Sequence, residues 1–137
     1  EITMNEAKTN QEEVLKIFKS EYEGILRRYE RDVERYALKM NENYEQFFCW
    51  HGGTMYKIQI NLKAIRELRH LTSWDSTDKI KMALENHIRN IELTLIEGSQ
   101  YPTSTNLLHN VADILGREAK QRLREDLQRL LYTITYK

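Results

Sequence analysis

The sequence predicts an all-α fold, an antiparallel bundle of about four helices with one long straight first helix. Three observations support this. Breakers are sparse, since the 137 residues include one proline and five glycines. Apolar residues recur at steps of three and four through most of the chain, which is the period of an amphipathic helix. The length also suits a single core, so residues 1–137 are predicted to form one helical domain, either complete or part of a longer chain.

The first helix carries the most regular pattern. Its apolar positions repeat every 11 residues, as shown by Val14, Ile25, Tyr36 and Phe47. A repeat of this length corresponds to about 3.67 residues per turn and gives a straight or slightly right-handed packing seam. A helix over about residues 10–48 would be on the order of 58 Å long at 1.5 Å per residue.

The end of the first helix is predicted at Gly52 and Gly53. Glycine just past the last periodic residue commonly closes a helix in the left-handed conformation. A second helix is then expected over about residues 54–71. Residues 56–62 alternate between apolar and polar side chains, so this stretch also fits a strand.

The third helix is predicted to begin after Asp75 or Ser76, because either side chain can accept a hydrogen bond from the free amides of a first turn. Gly98 follows its apolar seam as a stop signal. Residues 99–105 contain the only proline, which cannot continue a helix, and are predicted to form a loop with threonine N-caps.

The fourth helix keeps one apolar seam from Leu108 to Ile134. The seam keeps its phase across Gly116, which predicts that this glycine lies inside the helix at a close contact or a bend. Residues 132–136 alternate and are rich in strand formers. We predict a fraying or docking tail there, with a short strand as the alternative.

Composition constrains the setting of the protein. The 21 basic and 21 acidic residues give a formal net charge of zero, so no overall field attracts nucleic acid or an anionic membrane. The single cysteine gives no sign of an oxidising compartment and favours a cytoplasmic location. No run approaches the roughly 18 apolar residues of a membrane span.

A catalytic or metal site has no positive support in the sequence. Cys49 and His51 lie close together, but zinc usually needs four ligands and the other histidines occur singly. Glycine-rich phosphate loops and nucleophile elbows are absent. We therefore predict no catalytic, cofactor or metal residues and lean against an enzyme. An enzyme whose site lies in a cleft near an isolated histidine is kept as an alternative.

A row of arginines marks the first helix. Arg27, Arg31 and Arg35 follow each other at i,i+4 spacing and are predicted to hold an anion or an acidic partner, although interleaved acids also fit a solvated face. With basic residues of the fourth helix they form the basis of the first alternative function, a nucleic-acid-associated regulator, ahead of the enzyme. These residues are Arg117, Lys120, Arg122, Arg124 and Arg129. The segment VADILGREAKQRL resembles a helix-turn-helix only in its Ala112 to Gly116 spacing.

Four tyrosines lie on the seam of the first helix, namely Tyr22, Tyr29, Tyr36 and Tyr44. Tyrosine suits a surface that is apolar along the ring and wet at the hydroxyl, as at an interface. No other predicted helix is long enough to cover the first one alone, although two short helices stacked end to end would do so. We therefore predict a non-catalytic module for protein–protein interaction or self-assembly, with these tyrosines at the interface of a homo-oligomer or a protein partner.

Overall fold

The computed structural model describes residues 4–97 and 106–136, with side chains described over 10–96 and 106–135. Five α-helices account for nearly all of these residues. They are α1 (Met4–Glu42), α2 (Tyr44–Trp50), α3 (Gly52–Glu67), α4 (Thr77–Glu97) and α5 (Leu107–Tyr136), and a 3₁₀ turn at Arg69–Ser73 follows α3. No strand occurs within the described ranges. The predicted all-α class is confirmed.

Helices α1 and α3 run in opposite directions. The Tyr22 hydroxyl of α1 donates to the carbonyl of Ile65 near the end of α3. Tyr29 lies later in α1 than Tyr22. Its hydroxyl accepts a hydrogen bond at 3.5 Å from the side-chain amide of Asn61, which lies earlier in α3 than Ile65. Later residues of α1 therefore contact earlier residues of α3, as in an antiparallel pair.

Helices α4 and α5 are also antiparallel. Near the end of α4, the guanidinium of Arg117 in α5 donates to the carbonyl of Leu95 at 2.7 Å. Near the start of α4, Lys81 and Tyr132 line the same groove, so the end of α5 lies there. With α5 also packed on α1 and α3, the four long helices form an up-down-up-down bundle.

The core fills the space between the four long helices. Its members are buried apolar side chains from the four long helices, from Leu68 and from the 3₁₀ turn, together with two tyrosines of α1. They are Phe18, Tyr22, Ile25, Leu26, Tyr29, Leu62, Ile65, Leu68, Leu71, Ile80, Leu84, Ile88, Leu123, Leu127, Leu130 and Ile134. Burial of each large apolar side chain contributes about 1.5–3 kcal/mol, so this cluster accounts for most of the stabilisation.

The prediction of one uninterrupted helix to residue 48 is wrong. Helix α1 is long, at 39 residues, but it ends at Glu42. Asn43 then adopts an extended conformation, with φ −155° and ψ 95°, and its side chain accepts from the amide of Gln46 at 3.0 Å to cap α2. Asparagine is among the best N-caps, so this residue starts a new helix inside an apolar pattern that continues in phase.

The predicted left-handed glycine cap is also wrong. No glycine in the described residues has a positive φ, and Gly52 and Gly53 begin α3. His51 makes the turn between α2 and α3, and its backbone amide bonds to the Phe47 carbonyl at 2.7 Å. Gly53 has a packing role instead, because a Cβ atom there would lie 3.4 Å from Leu115 Cδ2 of α5.

The second and third predicted helices are close to those observed. Residues 56–62 are helical in α3, which rules out the strand alternative, and the chain tightens into a 3₁₀ turn after Glu67. The hydroxyl of Ser76 accepts from the amide of Lys79 at 3.3 Å, so the predicted Ser76 cap is present at α4. Gly98 and the predicted loop at 99–105 lie outside the described residues.

Helix α5 passes through Gly116 without interruption, as predicted. The predicted close contact at that glycine is wrong, since an added Cβ would meet nothing within 4 Å. The helix continues to Tyr136, so the alternative of a short strand at 132–136 is wrong as well. Asn106 caps the start of α5, where its side chain accepts from the Leu108 amide at 2.9 Å.

Candidate functional site

A polar cleft of about 320 Å³ lies between α1, α3 and α5. Most of its lining side chains are long and polar or charged. Its lining carries four basic and two acidic groups. The basic residues are Arg28 and Arg35 of α1, Lys57 of α3 and Arg122 of α5, and the acids are Asp32 and Glu118.

Beneath this cleft lies a buried hydrogen-bond network. Asp126 of α5 is 2% exposed, and its carboxylate accepts from the Tyr29 hydroxyl and, at 2.9 Å, from the Arg28 guanidinium. Asn61 of α3 is also 2% exposed and donates to the Ala119 carbonyl at 2.9 Å. The second atom of that amide, Oδ1, is enclosed and has no donor among the described residues.

Tyr29 and Arg28 of this network both have raised pKa values and keep their protons at neutral pH. Burial raises the pKa of Tyr29 to about 12, and the neighbouring Asp126 carboxylate adds to that effect. Burial opposes the charge on Arg28, but its hydrogen bond and charge interaction with Asp126 outweigh this and leave its pKa raised. Tyr29 therefore stays a neutral donor and Arg28 stays charged across the physiological range.

The outer cations of the cleft differ in how they are held. Lys57 donates to Glu118 at 2.9 Å, and Arg35 lies 3.3 Å from Asp32 with its guanidinium over the ring of Tyr36. Both ion pairs are solvent-accessible. Arg122 forms no ion pair with any residue in the described part of the chain. The cleft thus contains one uncompensated arginine beside cations in weak surface pairs.

The predicted arginine row is divided by this geometry. Arg35 lines the cleft, whereas Arg27 and Arg31 are exposed and do not line it. Arg27 lies 4.0 Å from Glu23 in the same helix. Arg28, which the sequence analysis did not single out, is the residue that anchors the network. Arg28 and Arg35 are seven residues apart and therefore lie on one face of α1. The sequence does not show that α5 packs beside this face and forms the cleft with it.

The basic residues of α5 also separate. Arg122 lines the cleft. The guanidinium of Arg117 is bonded to the Leu95 carbonyl on the side facing α4, and Lys120 lies in a groove beside residues of α4. Arg124 is partly buried. These side chains therefore do not make one continuous basic face with the α1 row.

The four predicted interface tyrosines have unlike positions. Tyr22 and Tyr29 are 1% and 4% exposed and belong to the core, so they are not surface anchors. Tyr36 is half-buried, with its ring centroid 6.5 Å from that of Phe47. Tyr44 is 69% exposed. The reason is that α3 and α5 both pack against α1 and cover Tyr22 and Tyr29.

A different set of exposed apolar side chains, which we call the apolar end, lies on α2, the end of α4 and the start of α5. In α2, Tyr44, Phe48 and Trp50 are 69%, 65% and 75% exposed. Further exposed apolar residues flank them on the other helices: Leu93 and Ile96 on α4, and Leu107, Leu108, Val111 and Ile114 on α5. Leu115 of α5 packs against Gly53 at the start of α3, and Arg117 of α5 bonds to the end of α4, so α2 and these segments lie at the same end of the bundle.

Cys49 and His51 have different surroundings. Cys49 is exposed, while the His51 ring packs 5.7 Å from that of Tyr36, between centroids. The Nδ1 atom of His70 lies 3.0 Å from the carbonyl oxygen of Glu67 at the end of α3. The centroid of its ring is 5.4 Å from that of Trp74. Among the described residues, no three His, Cys, Asp or Glu side chains are grouped as metal ligands.

None of the described helices combines the length and apolar character needed to cross a membrane. Comparison of the chain with protein-family models, with curated proteins and with solved structures gave no match.

Proposed function

We propose that this chain is a non-catalytic helical interaction module that associates with a second copy of itself through the apolar end. The observation that carries the proposal is the composition of α2. Within seven residues it exposes Tyr44, Phe48 and Trp50, each by 65% or more. Tyrosine and tryptophan are enriched among the residues that dominate binding energy at protein interfaces.

The aromatic side chains are presented on an ordered support. Phe47, on the inward side of α2, is buried and packs edge to face on Tyr36. The Asn43 cap and the bond from the His51 amide to Phe47 fix both ends of the helix. Binding through such a surface loses little conformational entropy, because the backbone is already in place.

A second copy is the partner that the surface chemistry favours. The exposed apolar side chains of the apolar end are concentrated at one end of the bundle, and such concentrations commonly mark interaction sites on soluble proteins. Apolar surface is complementary to itself, and a two-fold axis would bring identical patches into contact without pairing like charges. The chain has no net charge to oppose such an approach.

Light scattering over a range of protein concentrations tests the proposal. The wild-type mass should rise from the 16.5 kDa of one chain towards a dimer. The triple variant Tyr44→Ser, Phe48→Ser, Trp50→Ser should stay monomeric and folded, since truncating a single aromatic that acts as an interface hot spot costs about 2 kcal/mol or more.

The matched control removes exposed apolar side chains from the opposite end of the bundle. Ile17→Ser with Met82→Ser should dimerise as the wild type does, because both side chains are exposed but lie near the starts of α1 and α4. A wild-type mass that stays at 16.5 kDa at every concentration contradicts self-association. Equal weakening by the control would contradict the assignment to the apolar end.

A further inference from the structure

We propose that the cleft between α1, α3 and α5 binds a small ligand that carries a phosphate group, with Arg122 and Arg35 as its principal contacts. This site lies outside the apolar end and shares none of its residues. The inference therefore goes beyond the proposed association and does not depend on it.

The charge balance of the cleft favours an anion. Four basic side chains line it against two acids. Arg28 is engaged by the buried Asp126 below, and Lys57 by Glu118 at the rim. Arg122 has no acidic partner among the residues described. A phosphate group would supply the missing counter-charge, and the planar guanidinium fork matches its oxygens bidentately.

The rim ion pairs do not block such a ligand. The side chain of Glu118 is 50% exposed and that of Asp32 is 33% exposed, so either carboxylate can turn to solvent. Solvent-exposed ion pairs contribute little net free energy, so breaking them to admit a phosphate group costs little. Arg35 is already oriented, because it rests over the ring of Tyr36 at 5.0 Å.

The volume of the cleft and the presence of Asn61 in its lining indicate a ligand larger than a free phosphate ion. A volume of about 320 Å³ leaves room beyond a phosphate group. Asn61 lines the cleft, is almost fully buried and has an Oδ1 atom without a donor. That oxygen has almost no accessible surface in this structure, so a ligand hydroxyl or amino group next to the phosphate would pair with it after a rotation of the Asn61 side chain towards the cleft. The chemistry therefore favours a phosphate monoester of a sugar or nucleoside over inorganic phosphate.

A titration of the full chain followed by amide chemical shifts tests the proposal with three probes: adenosine monophosphate, inorganic phosphate and uncharged adenosine. Adenosine monophosphate should cause saturable shifts around Arg35, Asn61 and Arg122. Weaker binding of inorganic phosphate at the same amides supports the monoester. Equal binding of both supports the phosphate site and assigns it to the free ion. Binding of adenosine as tight as that of its phosphate overturns the proposal, as does the absence of saturable shifts at millimolar concentrations.

Matched variants separate the cleft from general surface attraction. Arg122→Gln should weaken binding roughly tenfold, the effect of losing one charge-assisted contact, without unfolding, because Arg122 is exposed. Arg31→Gln removes the same charge from α1 at an exposed position that does not line the cleft, and binding should be unchanged. If Arg31→Gln weakens binding as much as Arg122→Gln, the proposal fails.

Discussion

The hydroxyl of Tyr29 in α1 donates a hydrogen bond to the carboxylate of Asp126 in α5, 97 positions further along the chain. Asp126 also accepts from Arg28, so one buried carboxylate joins two neighbouring α1 residues to the last helix. Apolar packing could hold these helices together at many registers. A buried charge whose partners must meet it in one geometry selects a single register, because every other one leaves the charge unpaired.

Removal of this carboxylate should be strongly destabilising. We expect Asp126→Ala to lower the free energy of unfolding by about 1.5–3 kcal/mol, because the buried Tyr29 hydroxyl loses its acceptor and Arg28, which is 31% exposed, loses its ion pair. Asp126→Asn should cost less, since an amide oxygen still accepts from Tyr29. Urea unfolding measures both. The control is Asp113→Ala, an exposed acid of α5, which should change stability by less than about 0.5 kcal/mol. Equal effects at the two positions would contradict a structural role for the network.

Stability should fall at alkaline pH because of Tyr29. Its pKa is raised from 10.0 to about 12 in the folded state, so folding favours the protonated hydroxyl. This contribution is fully present below about pH 10 and is lost between about pH 10 and 12, with a total of about 2–3 kcal/mol.

The measurement is the free energy of unfolding as a function of pH for the wild type and Tyr29→Phe. The variant should be less stable at neutral pH but should lose less between pH 10 and 12. Part of the alkaline loss should remain, because burial also raises the pKa of Tyr22. An unchanged pH dependence in Tyr29→Phe would show that this hydroxyl does not control it.

Two glycines inside helices offer stabilising substitutions. An added Cβ at Gly24 of α1 or Gly116 of α5 would meet nothing within 4 Å. Alanine should therefore stabilise each helix by about 0.5–1 kcal/mol, through a smaller loss of backbone entropy on folding. At Gly53 the Leu115 side chain is 3.4 Å from the added atom, so Gly53→Ala should gain less. Thermal unfolding of the three variants decides this; a loss of stability in Gly116→Ala would mean that the helix is bent or crowded there.

Much of the fold could be predicted from local pattern. The apolar seam and the scarcity of breakers indicated helices, and the continuous phase across Gly116 placed that glycine within α5. The junction at Asn43 was missed because the 11-residue pattern stays in phase through it, so periodicity alone does not show a break there. The cue was the residue type, since an asparagine side chain can cap a helix after it.

The candidate sites were less accessible to sequence analysis. The i,i+4 spacing does not distinguish between Arg27, Arg31 and Arg35. Only the packing of α5 beside α1 makes Arg35 a cleft residue and leaves the other two outside the cleft. Likewise, the tyrosines share one seam, but α3 and α5 cover its first part and leave Tyr44 exposed. Which residues of a face become core depends on contacts between segments far apart in the chain.

Loss of the Asn43 cap should affect both stability and association. Asn43→Ala removes the acceptor for the Gln46 amide and should cost about 1 kcal/mol, whereas Asn43→Asp should retain the cap. Hydrogen exchange should show faster opening of α2 in the alanine variant. Because the apolar end depends on the position of α2, dimerisation should weaken although no aromatic residue is changed. Gln46→Ala is the control, since it leaves the capped backbone amide in place. Undiminished dimerisation of Asn43→Ala, despite faster exchange in α2, would show that association does not require an ordered α2.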